Sequence, residues 1–456
     1  MLTYLLALSK YIILVLMLFY TLESLLSFFK KKNKDGIYVR QEIYIFLMQF
    51  VAYGTLCLKL GQLEYLFFYA FLQIVLISYI VLSQMLYPNI QRELSNHMAM
   101  LMSIGFLILC RLNFSKSIKQ LIIASIGIII SFFVPMIIFK MEFLKHLKWL
   151  YALVGIVSLA MVLILGQVTN GSKISYTIAG ITVQPSEFVK VVFVFCIAGL
   201  LYKKKCFLTF ALSAIIAALH VMVLVLSKDL GSALIFFVTY MAMLLVASKN
   251  YLYLFLGISA GSGAAVVAYK VFTHVQVRVQ AYLDPFSVID KEGYQITQSL
   301  FAIACGGFFG TGLLKGVPDD IPFVESDFIF SAIAEEMGVI FSVCMLFVCL
   351  FSFMIFMRIA MQVKDGFYRL VSVGLGVTYL FQVFLTVGGG IKFIPLTGVT
   401  LPFVSYGGSS ILVSIMIFSV LQGVSLIVAD ENEDDEEAED DEEDDDKYGY
   451  NDEEDE

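Results

Sequence analysis

The sequence predicts an all-α polytopic membrane protein, and three observations lead to that fold class. Hydrophobic residues make up 59% of the chain and the mean hydropathy is +0.87, well above the roughly 45–50% apolar content of soluble domains. The apolar residues form runs long enough to cross a bilayer. Lysines and arginines are concentrated in alternate loops between these runs, as in proteins that follow the positive-inside rule.

A helix needs about 20 apolar residues to span the hydrocarbon core, and this length predicts about thirteen transmembrane helices. They cover residues 3–29, 41–60, 66–86, 95–111, 119–139, 148–168, 185–202, 206–227, 229–248, 252–272, 327–357, 366–388 and 402–428. An odd number of spans places the two termini on opposite sides of the membrane.

The basic residues of the loops set the predicted orientation. One set of loops holds Lys30 to Lys34, Arg92, Lys140 to Lys148, Lys203 to Lys205, Lys249 and Arg358 to Arg369. The other set is leaner, with Arg111, Lys116 and Lys173 as exceptions, and includes the loops 274–326 and 388–401. We therefore expect the leaner loops and the N-terminus outside, and the C-terminus in the cytoplasm.

Charge and apolar pattern divide the chain into three parts: a three-helix extension (1–94), a ten-helix body (95–428) and an acidic tail (429–456). Residues 430–456 carry 20 of the 38 acidic residues and one of the 30 basic ones, which leaves the rest with an excess of 11 positive charges. We expect the tail to be disordered and either to dock a basic partner or to be dispensable. The basic body is expected to contact anionic membrane lipids; nucleic acid is not an expected partner.

The most polar stretch of the body, residues 278–338, is predicted to be the reaction site. It is too polar and too rich in Gly and Pro to cross hydrocarbon, and structureless loops as long as 274–326 are usually functional. The candidate residues in and beside this large extracytoplasmic loop are Asp284, Asp290, Gln295, Gln298, Ser299, Asp327 and Glu335.

A second polar break surrounds Pro185, which can open a helix. Glu187 falls in the first turn, where the helix dipole favours an acid, and Lys190 follows three residues later. The pair either satisfies itself or takes part in function, and the pattern leaves both interpretations open. Gln184 precedes the helix, and Lys173, an outward cation without an acidic neighbour, is a candidate for binding phosphate.

Two further breaks lie on the same outer side. Lys228 and Asp229 stand between two apolar runs, as a paired charge at a helix end or as part of a site. The last break, residues 388–412, combines two prolines with a Gly-Gly-Ser-Ser turn, and supplies Lys392, Ser405, Tyr406, Gly407 and Gly408. Backbone N–H groups at such a helix start can bind an anion. Breaks that share one side predict one site for a lipid-linked, phosphate-bearing ligand.

No metal site is predicted. The seven cysteines lie mostly in apolar runs without a paired framework, and the four histidines lack metal-ligand spacing. A dependence on Mg²⁺ or Mn²⁺ stays open, because such a cation could pair with a pyrophosphate and the loop carboxylates.

Five motifs, in order, resemble the signatures of the SEDS family, the RodA/FtsW/SpoVE proteins. They are QPSEFVK (184–190), KDLGSAL (228–234), GYQITQSLFAIACGG (293–307), FVESDFIFSAIAEEMG (323–338) and LPFVSYGGSS (401–410). The resemblance covers roughly residues 95–428. It implies a ten-helix core, with the first three spans as an N-terminal addition for which docking of the partner's single span is one hypothesis.

The resemblance also implies an activity, peptidoglycan glycosyl transfer. Such proteins polymerise lipid II on the outer face of the bacterial cytoplasmic membrane, together with a class B penicillin-binding protein, for cell shape, division or sporulation. An Asp of the large outer loop is thought to be the general base. Where the family commonly reads Asn-Pro-Trp-x-Asp-Pro, this chain reads LDPFSVID, so that the usual Asp falls on Val288. Asp290 is our first candidate for the base, and Asp284, at the usual Asn, is the second.

Two rival functions fit the same intramembrane charges and broken helices. One is a flippase or transporter that moves the lipid-linked precursor across the membrane. The other is a non-catalytic scaffold for a cell-wall synthase, which would keep the fold and the lipid site without the base. Polymerisation by the purified protein distinguishes the enzyme from both.

Overall fold

The computed structural model describes residues 2–30, 33–169, 172–178, 181–203, 206–291 and 293–449, and these are overwhelmingly helical. The α-helices are α1 Leu2–Phe29, α2 Asp35–Leu60, α3 Glu64–Leu86, α4 Arg92–Leu112, α5 Phe114–Ser131, α6 Val134–Lys140, α7 Lys148–Leu165, α8 Pro185–Leu201, α9 Phe207–Leu226, α10 Leu230–Ser248, α11 Tyr251–Val271, α12 Thr273–Leu283, α13 Tyr294–Gly306, α14 Ile329–Met337, α15 Val339–Gln362, α16 Gly366–Gly390 and α17 Gly408–Gly449. Two 3-10 helices cover Glu142–His146 and Pro318–Asp320.

Among the described residues, twelve helical stretches are long and apolar enough to cross a membrane, with α5 and α6 counted as one. The thirteenth predicted span corresponds to α8, which has 17 residues and is about a turn shorter than the usual 20. Its residues are almost all buried, because α7, α10 and α16 pack around it.

Two of the predicted continuous spans are broken. The span 119–139 consists of α5 and α6, and Pro135 stands in the first turn of α6, where its missing N–H costs no hydrogen bond. The span 327–357 consists of α14 and α15, which meet at Gly338 with φ +90°. That conformation ends a helix and is accessible chiefly to glycine.

The segment between α7 and α8 is also different from the prediction. The span expected at 148–168 ends at Leu165, and three short antiparallel strands follow: β1 Gln167–Thr169, β2 Ser172–Ile178 and β3 Ile181–Val183, in the order β1-β2-β3. The backbone of Lys173 pairs with Val168, whereas its side chain lies outside the described part. Alternation of polar and β-branched residues in SKISYTI is the sequence pattern of such a strand.

The outer loop and the tail contain more helix than composition indicated. Within 274–326, α12 and α13 flank a polar turn. At the C-terminus, residues 402–407 precede the last helix instead of forming its start, and α17 continues to Gly449. The backbone of 429–449 is helical where composition predicts disorder; the disorder of the tail stays a prediction, and residues 450–456 lie outside the described residues. Glu431 and Asp435 in this continuation contact Lys364, which gives the acidic turns a basic neighbour.

The three-helix extension packs closely on the body. α1 lies on α15, α2 lies on α4, and α3 lies on α4 and α5. Together with the body helices α5, α15 and α17, α2 and α3 bury every residue of α4 from Glu93 to Cys110. The boundary near residue 94 stays a prediction, and it falls in the first turn of this central helix.

The two ends of the bundle carry different groups. Near one end, Lys10 in α1 contacts the outer loop at Gly310. Near the other end, α17 contacts Asn89 and Lys364. Four of the lysines used to orient the chain, Lys31, Lys32, Lys204 and Lys205, lie outside the described residues.

Candidate active site

A polar cavity of about 400 Å³ lies on the outer-loop side of the bundle. Its walls come from α12, the first turn of α13, the turn that precedes α14 and the segment that follows α16. Arg278, Lys291, Gln295 and Asp327 give the cavity its charged and polar groups. A concave site with a few convergent polar groups is the usual form of a ligand site.

Arg278 and Asp327 are the charged pair of this cavity. The guanidinium of Arg278 donates to the carbonyl oxygen of Thr397 at 3.1 Å. Gly398 lies between the two side chains, since a Cβ built there would be 3.6 Å from Asp327 Oδ2 and 3.8 Å from Arg278 Nη2. Burial raises the pKa of Asp327 to about 6, although Ser326 and Arg278 oppose that shift. A change of pH around 6 therefore alters the charge of Asp327.

The predicted motifs at the starts of α8, α10 and α17 meet in one hydrogen-bonded cluster. Asp229 caps α10 by accepting from Ser232 N at 3.1 Å, and its other oxygen accepts from Ser186 Oγ at 2.9 Å and from the Gln184 amide at 3.5 Å. The backbone N–H of Gln184 donates to Ser409 Oγ at 3.0 Å. The three helix starts are thus fixed to one another.

This cluster adjoins the cavity. Burial lowers the pKa of Arg278, and the Asp327 and Asp229 carboxylates oppose the shift. Burial also lowers the pKa of His274, helped by the Arg278 and Lys228 cations. Arg278 and His274 stand on α12, so that helix links the cavity with the start of α10.

Lys228 and Asp229 do not form the surface pair that was one of the two interpretations. In the described part of the chain, Lys228 is exposed and makes no ion pair, and its φ of +63° turns the chain sharply before α10. Because the Asp229 carboxylate is already engaged as the cap of α10, the exposed Lys228 cation beside it is free to bind an anionic ligand.

Glu187 and Lys190 form the self-satisfied pair. Lys190 Nζ lies 2.8 Å from Glu187 Oε2 and donates to Gln382 Oε1 at 2.7 Å. Gln382 in turn donates to Thr400 O at 2.9 Å. Both charged side chains are buried, so their geometry supports a structural role that ties α8 to α16, and a direct contact with substrate stays a prediction.

In the turn before α17, backbone N–H groups already donate to other groups of the protein. The N–H of Gly407 donates to Gln120 Oε1 at 2.8 Å, and the N–H of Tyr406 donates to Glu325 O at 2.7 Å. Ser405 is buried and its hydroxyl accepts from Leu401 N at 2.9 Å. The Gly407 donor proposed for an anion is therefore satisfied internally, and Gly408 is the first residue of α17. Lys116 lies over the Tyr406 ring at 5.5 Å.

The two aspartates predicted as general base differ in their surroundings. Asp284 ends α12, and its carboxylate accepts from Ser287 N at 3.2 Å. Asp290 is exposed in the turn before α13, and within the described residues its carboxylate has no hydrogen-bond or ion-pair partner. The next residue, Lys291, lines the cavity. Asp290 is thus the less constrained of the two.

Four other predicted site residues do not line the cavity. Ser299 is buried and bonds Ser331 Oγ at 2.6 Å and Gly390 O at 2.7 Å. Glu335 is buried and accepts from Val317 N at 2.8 Å, which fixes the outer loop. Gln298 and Lys392 are half-buried. The cavity brings together Gln295 and Asp327 from the predicted set and does not include these four.

Sequence reasoning missed Arg278, Lys291, Phe323 and Gly398 as cavity residues. Arg278 was detectable, because cations are scarce on the outer side of a membrane protein and this one lies in a polar helix between apolar runs. Phe323 and Gly398 have φ of +59° and +75° and belong to irregular turns, for which periodicity gives no signal. Among the described residues, no group of three or more His, Cys, Asp or Glu side chains could hold a metal ion.

A protein-family model matches most of the chain. The model of the FtsW/RodA/SpoVE cell cycle proteins matches residues 93–429. Peptidoglycan glycosyltransferase RodA of Mycobacterium tuberculosis is 36% identical over 272 residues, which are 56% of this chain and 58% of that protein. This chain therefore spans less than two thirds of that relative. Stage V sporulation protein E of Bacillus subtilis is 32% identical over 321 residues, covering 67% of this chain and 86% of that protein.

Solved structures have the same fold. A peptidoglycan synthase complex, described for its coordination of polymerization and crosslinking, contains a chain that matches with a TM-score of 0.64 and 25% identity, covering 74% of this chain and 97% of that one. The crystal structure of the rod shape determining protein RodA of Thermus thermophilus matches with a TM-score of 0.57 and 22% identity, covering 74% and 96%.

Proposed function

Because the chain belongs to the FtsW/RodA/SpoVE family of cell cycle proteins, we propose that it is a peptidoglycan glycosyltransferase that polymerises lipid II. It is a multi-pass membrane protein, and the proposal places the reaction on the outer face of the cytoplasmic membrane. The observation that carries the proposal is the cavity in which Arg278 and Asp327 meet beside the turn of Asp290.

The reaction transfers a glycosyl group from its pyrophosphate carrier to a sugar hydroxyl. Asp290 takes the proton of the acceptor 4-hydroxyl as its oxygen attacks the anomeric carbon, and the bond from that carbon to the undecaprenyl pyrophosphate breaks. The role requires a carboxylate that is free to reach the substrate. The exposed, unpartnered Asp290 meets this requirement better than Asp284, which is engaged by Ser287 N.

Cations on the same side neutralise the leaving pyrophosphate. Arg278 and Lys291 line the cavity, and Lys228 is exposed beside it, close enough to His274 to influence its pKa. Electrostatic stabilisation by preorganised groups, such as cations at a leaving anion, is commonly the largest single contribution to catalysis. Lys173 stays a candidate for the same role, since its strand precedes α8. A contribution of Mg²⁺ or Mn²⁺ is tested by chelation.

A class B penicillin-binding protein is the proposed partner, because the glycan product needs crosslinking and a similar chain occurs in a peptidoglycan synthase complex. The proposed orientation has the N-terminus outside and the tail in the cytoplasm. It is supported by the contacts of Lys10 with the outer loop and of α17 with Lys364.

The experiment measures glycan polymer formed from lipid II by purified protein with its cognate transpeptidase, whose crosslinking is blocked. We expect Asp290→Ala to lower the rate by about 10²- to 10⁴-fold, the range for loss of a general base. Asp284→Ala is expected to retain most of the activity, and Asp320→Ala, which changes another exposed loop acid, is the matched control.

Other outcomes separate the alternatives. Loss of polymer in Asp284→Ala alone makes Asp284 the base, and polymer from the variant that lacks both aspartates contradicts a base at either position. A parent protein that forms no polymer but moves lipid II across sealed vesicles is a flippase. One that does neither and still binds the transpeptidase is a scaffold.

A further inference from the structure

Two lysines of the N-terminal extension reach the outer loop. Lys10 in α1 donates from Nζ to the carbonyl oxygen of Gly310 at 2.9 Å. Lys59, in the last turn of α2, donates to the carbonyl oxygen of Leu313. The stem of Lys10 also covers Gly312, since a Cβ built there would be 3.6 Å from Lys10 Cδ. We call residues 309–317 the strap. Hydrogen bonds from lysines of α1 and α2 therefore hold the strap.

The strap has little regular structure of its own. Gly310, Gly312 and Leu314 have φ of +72°, +98° and +57°, so this stretch cannot form a helix or a strand. Within it, the N–H groups of Thr311 and Gly312 donate to the carbonyl oxygens of Glu335 and Glu336 at the end of α14. The lysines supply donors for carbonyl oxygens on the strap, and hydrogen bonds from cations are roughly twice as strong as neutral ones.

The strap joins two walls of the cavity. Before it lies α13, whose first turn carries Gln295, and after it lies the turn that carries Phe323 and Asp327. Arg111 of α4 fixes the far end of the strap by donating to Gly316 O at 3.1 Å and Asp319 Oδ2 at 2.6 Å. Without the two lysines, the hydrogen bonds of the near end among the described residues are those to α13 and α14, and the Tyr11 ring of α1 still lies 6.2 Å from the Phe309 ring.

The family match starts at residue 93, so Lys10 and Lys59 both precede it. We propose that the three-helix extension acts as a built-in brace of the active site: Lys10 and Lys59 are positioning residues that hold the strap, and through it Gln295 and Asp327, in the arrangement that binds the lipid-linked donor. The kinetic part of this proposal rests on the proposed glycosyltransferase function, whereas the contact itself does not.

The first test is hydrogen–deuterium exchange of the full-length protein in detergent, which requires no activity. In the double variant Lys10→Met, Lys59→Met we expect exchange in the strap, residues 309–317, to be about tenfold faster, the order for the loss of charged hydrogen bonds, with α15 and α17 unchanged. The double Arg variant keeps the donors and should restore protection. Lys30→Met, an exposed lysine at the other end of α1, is the matched control.

The second test is polymerisation by the same variants with lipid II. A displaced site raises the apparent KM of the Met variant by about three- to tenfold with a smaller change in kcat, and the Arg variant returns KM to the parent value. Unchanged exchange in the Met variant would refute the brace. Faster exchange with an unchanged KM would show that the brace does not position the active site. The same conclusion follows if the Met variant loses copurification with the transpeptidase and this loss accounts for all of its lost polymerisation activity. An inactive parent refutes the proposed function, while the exchange data still decide whether the lysines hold the strap.

Discussion

Asp327 and Arg278 come from distant parts of the outer loop and meet in one cavity. Burial raises the pKa of Asp327 to about 6, against a usual value of 3.8. A carboxyl with a raised folded-state pKa binds its proton more tightly when the protein is folded. The protonated Asp327 carboxyl therefore adds to the free energy of unfolding below about pH 4, and this contribution is lost as the pH rises through 6.

Asp327→Asn should remove that pH dependence. We expect the free energy of unfolding of the parent, relative to the variant, to fall by up to about 3 kcal/mol between pH 4 and pH 7, from about 1.36 kcal/mol for each pKa unit. Denaturant unfolding in detergent at several pH values measures it. Asp320→Asn, an exposed acid of the same loop, should show no such trend. A difference that rises with pH would contradict the raised pKa.

The buried pair of Glu187 and Lys190 gives a second prediction for single residues. Lys190→Met leaves the Glu187 carboxylate buried without its cation, and removal of one partner of a buried pair costs about 3–5 kcal/mol. Thermal unfolding should show this loss, and the double variant Glu187→Gln, Lys190→Met should recover a large part of it. If the single variant costs less than about 1 kcal/mol, the pair is not the tie between α8 and α16 that its geometry indicates.

At the scale of elements, the junction of α14 with α15 holds the outer loop against the body. Gly338 adopts φ +90°, and its neighbours are the backbone atoms Gly310 N and Phe308 O. A side chain has neither a suitable conformation nor room there. The helix break therefore depends on one glycine and on the close approach of the strap.

Gly338→Ala should destabilise the protein strongly. A Cβ would overlap the backbone nitrogen of Gly310, and together with the unfavourable φ we expect a cost of about 2–4 kcal/mol. Gly263→Ala is the matched control, because a Cβ built there in α11 meets no atom within 4 Å from the rest of the described structure, beyond its own helix backbone and chain neighbours, and alanine is favoured in helices by roughly 0.5–1 kcal/mol. Similar melting temperatures for the two variants would contradict the close packing at Gly338.

At the scale of the whole molecule, the extension, the body and the tail contribute unequally to the fold. α1 and α2 cover α15 and α4, and the ion pair of Arg40 with Glu23 at 2.6 Å joins the two extension helices. The tail touches the body through exposed side chains, since Lys364 and Asp435 are 56% and 59% exposed in their ion pair. Exposed pairs contribute about 0–1 kcal/mol.

Truncation after Asp435 should consequently leave the molecule unchanged. We expect a melting temperature within about 1 °C of the parent, because the truncated chain keeps Asp435 and its ion pair with Lys364. Any further exposed ion pair lost with the removed residues would contribute little. Lipid II polymerisation should also be unchanged. A clear loss of activity without loss of stability would instead favour the docking role of the tail.

Most of the fold followed from the sequence for a simple reason. Runs of about 20 apolar residues have few alternatives to a spanning helix in a bilayer, because every backbone polar group must be bonded within the segment. The family motifs also marked Gln184, Asp229, Gln295 and Asp327, which the structure places in or beside the site. The breaks at Phe132 and Gly338 were not foreseen, since apolar periodicity continues through them.

For the outer loop as a whole, composition alone determined that it lies outside the hydrocarbon and carries excess carboxylate. Only the tertiary structure decided that Asp327 meets Arg278, that the donor of Gly407 is taken by Gln120, and that Lys10 and Lys59 hold the strap. The physical reason is distance along the chain. Membrane insertion is read locally from hydrophobicity, whereas which polar groups satisfy one another inside the bundle depends on helix packing between residues far apart in sequence.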